Sequence, residues 1–192
     1  MKIKQPRKKF HINLSSARTG ERLYFGVLFL LIFLLSASVF PYTGYTDAEK
    51  VRIVPDVLLA LSVVSGILSD DRKFIAGLAL AFGALSDFFL TPPTHLSPIL
   101  FFLAAYFSSV TVNAFTSVNP VTATAASLPF LLARSVTGGV ALLSASGGKS
   151  FGYVVKKILL PELAVNVITV FAVYLIIGFL YKKILHKGST KY

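Results

Sequence analysis

Long apolar blocks separated by short charged or proline-containing segments run through most of this chain. Two of these blocks, residues 57–69 and 74–90, are joined by the four charged residues at positions 70–73. Each block approaches the length of a membrane-spanning helix, and a run of four charges is too costly to keep in hydrocarbon. The pattern therefore predicts a transmembrane helical hairpin whose turn lies in water.

Four further blocks extend this hairpin to six predicted spans, which predicts an all-α, polytopic membrane bundle built as one domain. The spans are predicted at residues 23–40, 53–69, 74–90, 98–118, 121–145 and 158–181. Residues 1–22 form a basic tail that is predicted to be disordered, residues 23–181 the membrane domain, and residues 182–192 a second basic tail. A polar loop is expected at residues 146–157.

The first apolar block also shares features with a cleaved signal peptide. The tail before it is basic, and the Ser-Ala-Ser sequence at residues 36–38 resembles a signal-peptidase site. The eighteen residues at 23–40 carry no charge and exceed the usual length of a signal peptide's hydrophobic region. This length favours a retained first span.

The distribution of charge indicates a membrane topology rather than nucleic-acid binding. The 192 residues are 55% hydrophobic with a net charge of +11, and the basic tails have no interleaved aromatic side chains. Thirteen Lys and Arg residues fall on the side of both termini and the hairpin turn, against five on the other side. The positive-inside rule then places both termini in the cytoplasm, with the N-terminal tail on anionic lipid. Because the chain has no cysteine, disulfides and thiolate metal sites are excluded.

Four charged residues lie inside the predicted spans or at their ends. With this topology Asp56, Asp87 and Glu162 lie towards the outer ends of their helices, and Arg134 lies inside the fifth span. Charged groups inside a span normally pair with one another or line a polar cavity. We therefore expect Arg134 to pair with Asp87 or Glu162 first. Two interpretations of this charge cluster stay open: an ion pair that only packs helices, and a ligand or proton site.

The third span carries a set of small residues with helical spacing. Gly77 and Ala81 are four residues apart, and so are Ala79 and Gly83. Small residues one turn apart allow another membrane helix to approach closely. Gly77, Ala81, Gly83 and Asp87 are therefore predicted to form a partner-binding face.

Short matches to catalytic motifs occur between the fifth and sixth spans, but they lack partner residues. Residues 148–152 match the G-x-S-x-G pattern of serine hydrolases, and residues 146–149 match S-x-x-K. A nucleophilic serine needs a general base within reach, and the sixth span contains no histidine. The histidines of the chain are too dispersed for a metal site. The sequence therefore predicts a protein without catalytic activity, cofactor or metal.

Three segments of the chain share short motifs with one known family. Residues 54–59 (Val-Pro-Asp-Val-Leu-Leu) are similar to a Pro-Asp/Asn-Leu-Leu opening, and residues 85–89 (Leu-Ser-Asp-Phe-Phe) to a helix end of the form Leu-x-Asp-Leu. Residues 160–166 are similar to a late Leu-Pro-x-x-x-Asn element, with Asn166 displaced by one position. Across residues 23–181 the chain thus resembles the rod shape-determining protein MreD family. The loop at residues 92–96 and the longer basic N-terminus depart from the family pattern.

This resemblance implies a fold like that of the membrane S components and a function in the bacterial cytoplasmic membrane. The implied function is a non-enzymatic scaffold of the elongation complex, which supports lateral-wall peptidoglycan synthesis and cell shape. The implied partners are an MreC-like bitopic membrane protein and, with it, a wall-synthesis glycosyltransferase and transpeptidase.

The alternative is a substrate-binding S component of an energy-coupling-factor vitamin transporter. In that case Asp56, Asp87, Arg134 and Glu162 would line an outward-facing pocket that holds a charged small molecule. S components generally carry an Ala-x-x-x-Ala docking motif in the first span, whereas residues 23–40 contain a single alanine. The absence of this motif favours the scaffold.

Overall fold

The structure, a computed structural model, describes residues 14–39, 55–89, 96–112, 118–145 and 150–185. These residues form an all-α fold, and within them no strand occurs. The helices are α1 (Leu14–Val39), α2 (Val57–Leu68), α3 (Arg72–Phe89), α4 (Ser97–Val112), α5 (Pro120–Ala145), α6 (Phe151–Val154) and α7 (Leu160–Leu185). A π-helical turn, Val155–Leu159, joins α6 directly to α7.

Helix α2 lies at the centre of the bundle and is its most buried element. Every residue from Leu58 to Gly66 is buried, and α2 packs against α1, α3, α4, α5 and α7. Its 12 residues rise about 18 Å at 1.5 Å per residue, which is shorter than a bilayer core. A Cβ at Gly66 would overlap the backbone carbonyl of Ala105, so glycine at this position permits the close approach of α4.

Several predicted boundaries are corrected by the structure. Helix α1 begins at Leu14 instead of residue 23, so the second part of the predicted tail is helical. The predicted loop at residues 146–157 ends early, because α6 begins at Phe151 and runs into the π-helical turn. Helix α7 continues to Leu185, beyond the predicted end at residue 181. Residues 53–54 and 113–117, which the predicted second and fourth spans include, lie outside the described residues.

One end of the bundle joins the start of α1, the turn between α2 and α3, and the end of α7. Arg22 donates from Nε and Nη2 to Oδ2 of Asp71, at 2.8 and 2.6 Å, and Glu21 accepts a hydrogen bond from the backbone N–H of Asp70 at 3.1 Å. The ring of Tyr181 lies 5.7 Å from that of Phe25. We call this set of contacts the basic end. The hydrogen bond from Arg22 lowers the pKa of the Asp71 carboxyl below its usual value.

The outside of the bundle is rich in large apolar side chains. Phe88 is 85% exposed, and exposed Leu, Ile, Val and Phe residues occur on α1, α3, α4, α5 and α7. Two helical stretches, Arg18–Ser38 and Phe151–Ile184, are long and apolar enough to cross a membrane, while Val57–Leu68 and Ser97–Thr111 are shorter apolar helices. Such a surface suits contact with lipid or with apolar helices of another protein.

Candidate functional site

The end of the bundle opposite the basic end holds an ion pair between α5 and the start of α2. Nε of Arg134 donates to Oδ2 of Asp56 at 3.1 Å, and the two side chains are only 11% and 17% exposed. Asp56 is also the N-cap of α2, because its Oδ1 accepts from the backbone N–H of Leu59 at 3.0 Å. A single carboxylate therefore both begins the central helix and fixes it to α5.

Helix α7 joins this pair through an amide. Oδ1 of Asn166 accepts a hydrogen bond from the backbone N–H of Asp56 at 2.8 Å, and Asn166 is 1% exposed. Its Nδ2 is buried and has no hydrogen-bond partner among the described residues. A buried amide nitrogen without a partner costs roughly 1–3 kcal/mol. We call Asp56, Arg134, Asn166 and Glu162 the polar cluster.

Glu162 lies one turn before Asn166 on α7 and is partly buried. Among the described residues, Arg134 and Asp56 lie near enough to Glu162 to act on it electrostatically. Residues four apart on a helix share a face, so Glu162 lies on the side of α7 that carries Asn166. Ser135, next to Arg134, is 0% exposed, and within the described part of the chain its hydroxyl also has no hydrogen-bond partner.

Asp87 and Glu162 were the partners expected first for Arg134, but in the structure Arg134 pairs with Asp56. Asp56 receives the guanidinium Nε–H, whereas Asp87 accepts from the backbone N–H of Ser97 at 3.2 Å. Asp87 is 8% exposed and thus lies buried against the beginning of α4. Its place near the end of α3 was predicted from the sequence, but the side of α3 on which it lies was not.

The predicted partner-binding face divides into two parts. Gly83 is buried against α4 of the same chain, because a Cβ there would lie 2.8 Å from both Cα of Pro98 and the carbonyl oxygen of Ser97. Asp87 lies on this internal side as well. Gly77 and Ala81 are exposed, and a Cβ at Gly77 would meet nothing within 4 Å. Only these two of the four residues lie on a surface that another protein could contact.

The serine of the G-x-S-x-G match has a structural role in the described part of the chain. Ser150 is the N-cap of α6, where its hydroxyl oxygen accepts from the backbone N–H of Tyr153 at 3.4 Å. Among the described residues, no group of three or more His, Cys, Asp and Glu side chains is placed to hold a metal ion.

The charge cluster predicted from the sequence contained three of the four residues of the polar cluster, and the residue it did not include is Asn166. Asn166 could have been included from its position, because it follows Glu162 by four residues in an apolar helix and so lies on the same face. Chemically, the polar cluster fixes α2, α5 and α7 to one another through one ion pair and one amide hydrogen bond. No protein-family model, curated protein or solved structure matches this chain.

Proposed function

We propose that this protein is a non-enzymatic, multi-pass scaffold in the bacterial cytoplasmic membrane, of the MreD type. In this proposal α1, α2, α3, α4, α5 and the continuous helix from α6 to α7 are the six spans, and both termini are cytoplasmic. The scaffold binds an MreC-like bitopic protein and supports the glycosyltransferase and transpeptidase of lateral-wall synthesis. Its chemical contribution is the placement of helices, with no catalysis of its own.

The contacts at the basic end support this topology. The start of α1, the α2–α3 turn and the end of α7 meet there, as they would if all three lay on one side of a membrane. From Tyr181 back to the exposed Lys157 the helix rises about 36 Å at 1.5 Å per residue, which exceeds the hydrocarbon core by one interfacial layer. Lys157 then marks the outer interface. Asn166 lies about 14 Å below it by the same rise, in the outer half of the bilayer.

The observation that carries the scaffold proposal is the exposed part of α3. Gly77 and Ala81 lie one turn apart on the surface, beside the exposed Leu80 and Phe88. The internal side of α3 is fixed against α4 by Gly83 and Asp87. Apolar side chains of a helix are already in an apolar surrounding in lipid, so helices associate there mainly through close van der Waals packing. Small residues on the surface of α3 would let the backbone of a partner helix approach closely enough for such packing.

Copurification tests this proposal. The tagged chain would be purified from its native membrane in mild detergent, and associated proteins and small molecules would be identified by mass spectrometry. The proposal predicts recovery of an MreC-like bitopic protein, lost when Ala81→Leu fills the surface of α3. Ala125→Leu, at an exposed position of α5, is the matched control and should retain the partner.

Retention of the bitopic protein by Ala81→Leu would contradict the proposed binding surface. Gly83→Leu is not a suitable variant here, because its side chain would collide with the backbone of α4 within the same chain.

A second candidate function is favoured by one observation, the buried Nδ2 of Asn166, which has no hydrogen-bond partner among the described residues. A transporter S component binds its substrate among its helices, and an amide next to two carboxylates and a guanidinium would suit a charged small molecule. The same purification distinguishes the two functions. Recovery of transporter ATPase subunits together with a vitamin would replace the scaffold proposal.

A further inference from the structure

Basic side chains from three separate segments of the chain meet at the basic end. Arg22 of α1 pairs with Asp71 of the α2–α3 turn at 2.6 Å, which places the first turns of α1 beside the start of α3. The ring of Tyr181 on α7 lies 6.1 Å from that of Tyr24 and 5.7 Å from that of Phe25, both on α1. These contacts bring together five exposed cations, which are Arg18, Arg72, Lys73, Lys182 and Lys183.

Contacts within the bundle occupy two of the three acids at this end. Asp71 accepts from the guanidinium of Arg22 and, through Oδ1, from the backbone N–H of Phe74 at 3.3 Å. Glu21 accepts from the backbone N–H of Asp70 at 3.1 Å. Among the described residues, none of the five exposed cations makes a side-chain hydrogen bond or an ion pair. The six cations and three acids described at this end leave three uncompensated positive charges.

Large apolar side chains are exposed directly next to these cations. Leu23 follows Arg22 on α1, and Phe179 lies one turn before Lys183 on α7. Nζ of Lys183 is 5.9 Å from the ring centre of Phe179, so this lysine extends along the apolar surface with its charge at the end of the helix. The exposed surface thus changes from charged to apolar within one helical turn, as it does where a helix leaves a membrane.

An anionic phospholipid matches both parts of this surface. Its phosphate oxygens accept hydrogen bonds from lysine and arginine side chains, and its acyl chains contact the apolar side chains beside them. A nucleic acid or an acidic soluble protein would also neutralise the cations. Either of these would leave the neighbouring apolar side chains in water, which is unfavourable for so large an apolar surface.

We propose that the basic end is a binding surface for anionic phospholipids, whose phosphate groups lie among the five exposed cations. This inference rests on the proposed membrane topology, in which the basic end lies at the cytoplasmic leaflet. The sequence predicted contact with anionic lipid only for the N-terminal tail, whereas this surface also includes the start of α3 and the end of α7. The bound phosphates supply the negative charge that the acids of the fold do not.

Quenching of a single tryptophan by brominated lipid tests this surface. The chain has no tryptophan, so Phe179→Trp, beside Lys183, reports on the lipids at the basic end. Phe88→Trp, exposed at the other end of α3, reports on the lipids away from it. Each variant of the full-length chain would be reconstituted in phosphatidylcholine vesicles that contain either brominated phosphatidylglycerol or brominated phosphatidylcholine. The ratio of the two quenching efficiencies gives the preference for the anionic lipid at each reporter.

The proposal predicts a preference for phosphatidylglycerol of about fivefold at the Phe179→Trp reporter, the factor that one cation near an anionic surface contributes. At the Phe88→Trp reporter the ratio should be near one. In the Phe179→Trp background, Lys182→Gln with Lys183→Gln should lower the preference to about half or less. Lys156→Gln with Lys157→Gln is the matched control, because it removes the same charge from the π-helical turn, and it should keep the preference.

Two results would overturn the lipid surface and leave the scaffold proposal intact. One is quenching at the Phe179→Trp reporter without a preference, or with a preference that Lys182→Gln with Lys183→Gln does not change. The other is an equal preference at both reporters, which would indicate a general attraction of anionic lipid to a basic protein. An acidic soluble protein that copurifies with the wild-type chain, while the lipid ratio stays at one, would assign the surface to that protein. No quenching by either brominated lipid would contradict the membrane topology itself.

Discussion

Among the described residues, each end of the bundle holds one arginine–aspartate pair, but the surroundings of the two pairs differ. At the basic end Arg22 is 49% exposed and Asp71 is 16% exposed, whereas Arg134 and Asp56 are 11% and 17% exposed. An exposed pair is screened by water and salt and contributes 0 to about 1 kcal/mol. Removing one partner of a buried pair leaves a charge without water and costs about 3 to 5 kcal/mol. Loss of the arginine should therefore cost more unfolding free energy at the polar cluster than at the basic end, although both pairs join an arginine to an aspartate.

The largest predicted effect follows from removing the guanidinium of the polar cluster. Arg134→Ala leaves the largely buried Asp56 without its cation, and we expect a loss of about 3 to 5 kcal/mol of unfolding free energy. Steric trapping in bicelles would measure this loss. Arg72→Ala, which removes an exposed arginine at the start of α3, is the control and should change stability by less than about 0.5 kcal/mol. Equal stability of Arg134→Ala and Arg72→Ala would contradict the claim that the polar cluster contributes more to stability than the exposed charges at the other end.

An intermediate effect is expected from two glycines of α3. At Gly83 an added Cβ would lie 2.8 Å from backbone atoms of Ser97 and Pro98, so Gly83→Ala should destabilise by about 1–3 kcal/mol. At Gly77 nothing lies within 4 Å, and Gly77→Ala should leave stability unchanged or raise it by up to about 1 kcal/mol through helix propensity. Unfolding of both variants under the same conditions provides the measurement. The opposite order would contradict the packing of α3 against α4.

The smallest predicted effect is at the basic end. Arg22→Ala should lower stability by no more than about 1 kcal/mol, and the difference from wild type should shrink in 1 M salt. Since the pKa of Asp71 is lowered in the folded state, the pair stabilises above the usual pKa of aspartate. This contribution is lost as pH falls through the lowered pKa. Melting curves of wild type and Arg22→Ala should therefore converge in acid, and a difference that persists there would exclude the pair as its cause.

The positions of the helices were largely predictable from the sequence, because long apolar blocks dominate hydropathy. The start of α1 was missed because residues 14–22 are polar and a hydropathy pattern gives no signal for such a helical turn. The turn that contains Lys156 and Lys157 was interpreted as part of a loop because glycines and lysines interrupt the apolar pattern there.

The polar cluster was predictable in composition but not in pairing. Counting residues along a helix gives the depth of Asp56, Asp87 and Glu162, whereas pairing depends on which neighbour each side chain faces. Asp87 faces the start of α4, and that packing could not be deduced from spacing alone. The predicted second span began at residue 53, whereas α2 begins at Val57, directly after its N-cap Asp56.

The central claim of the proposed function is that the two ends of the bundle lie on opposite sides of a membrane. Because the chain has no cysteine, single-cysteine variants can test this with a membrane-impermeant maleimide. Lys157→Cys, in the π-helical turn, should react in intact cells. Lys73→Cys, beside the basic end, should react only after the membrane is permeabilised. Labelling of both positions from the same side, or of Lys73→Cys alone in intact cells, would contradict the proposed topology and the scaffold built on it.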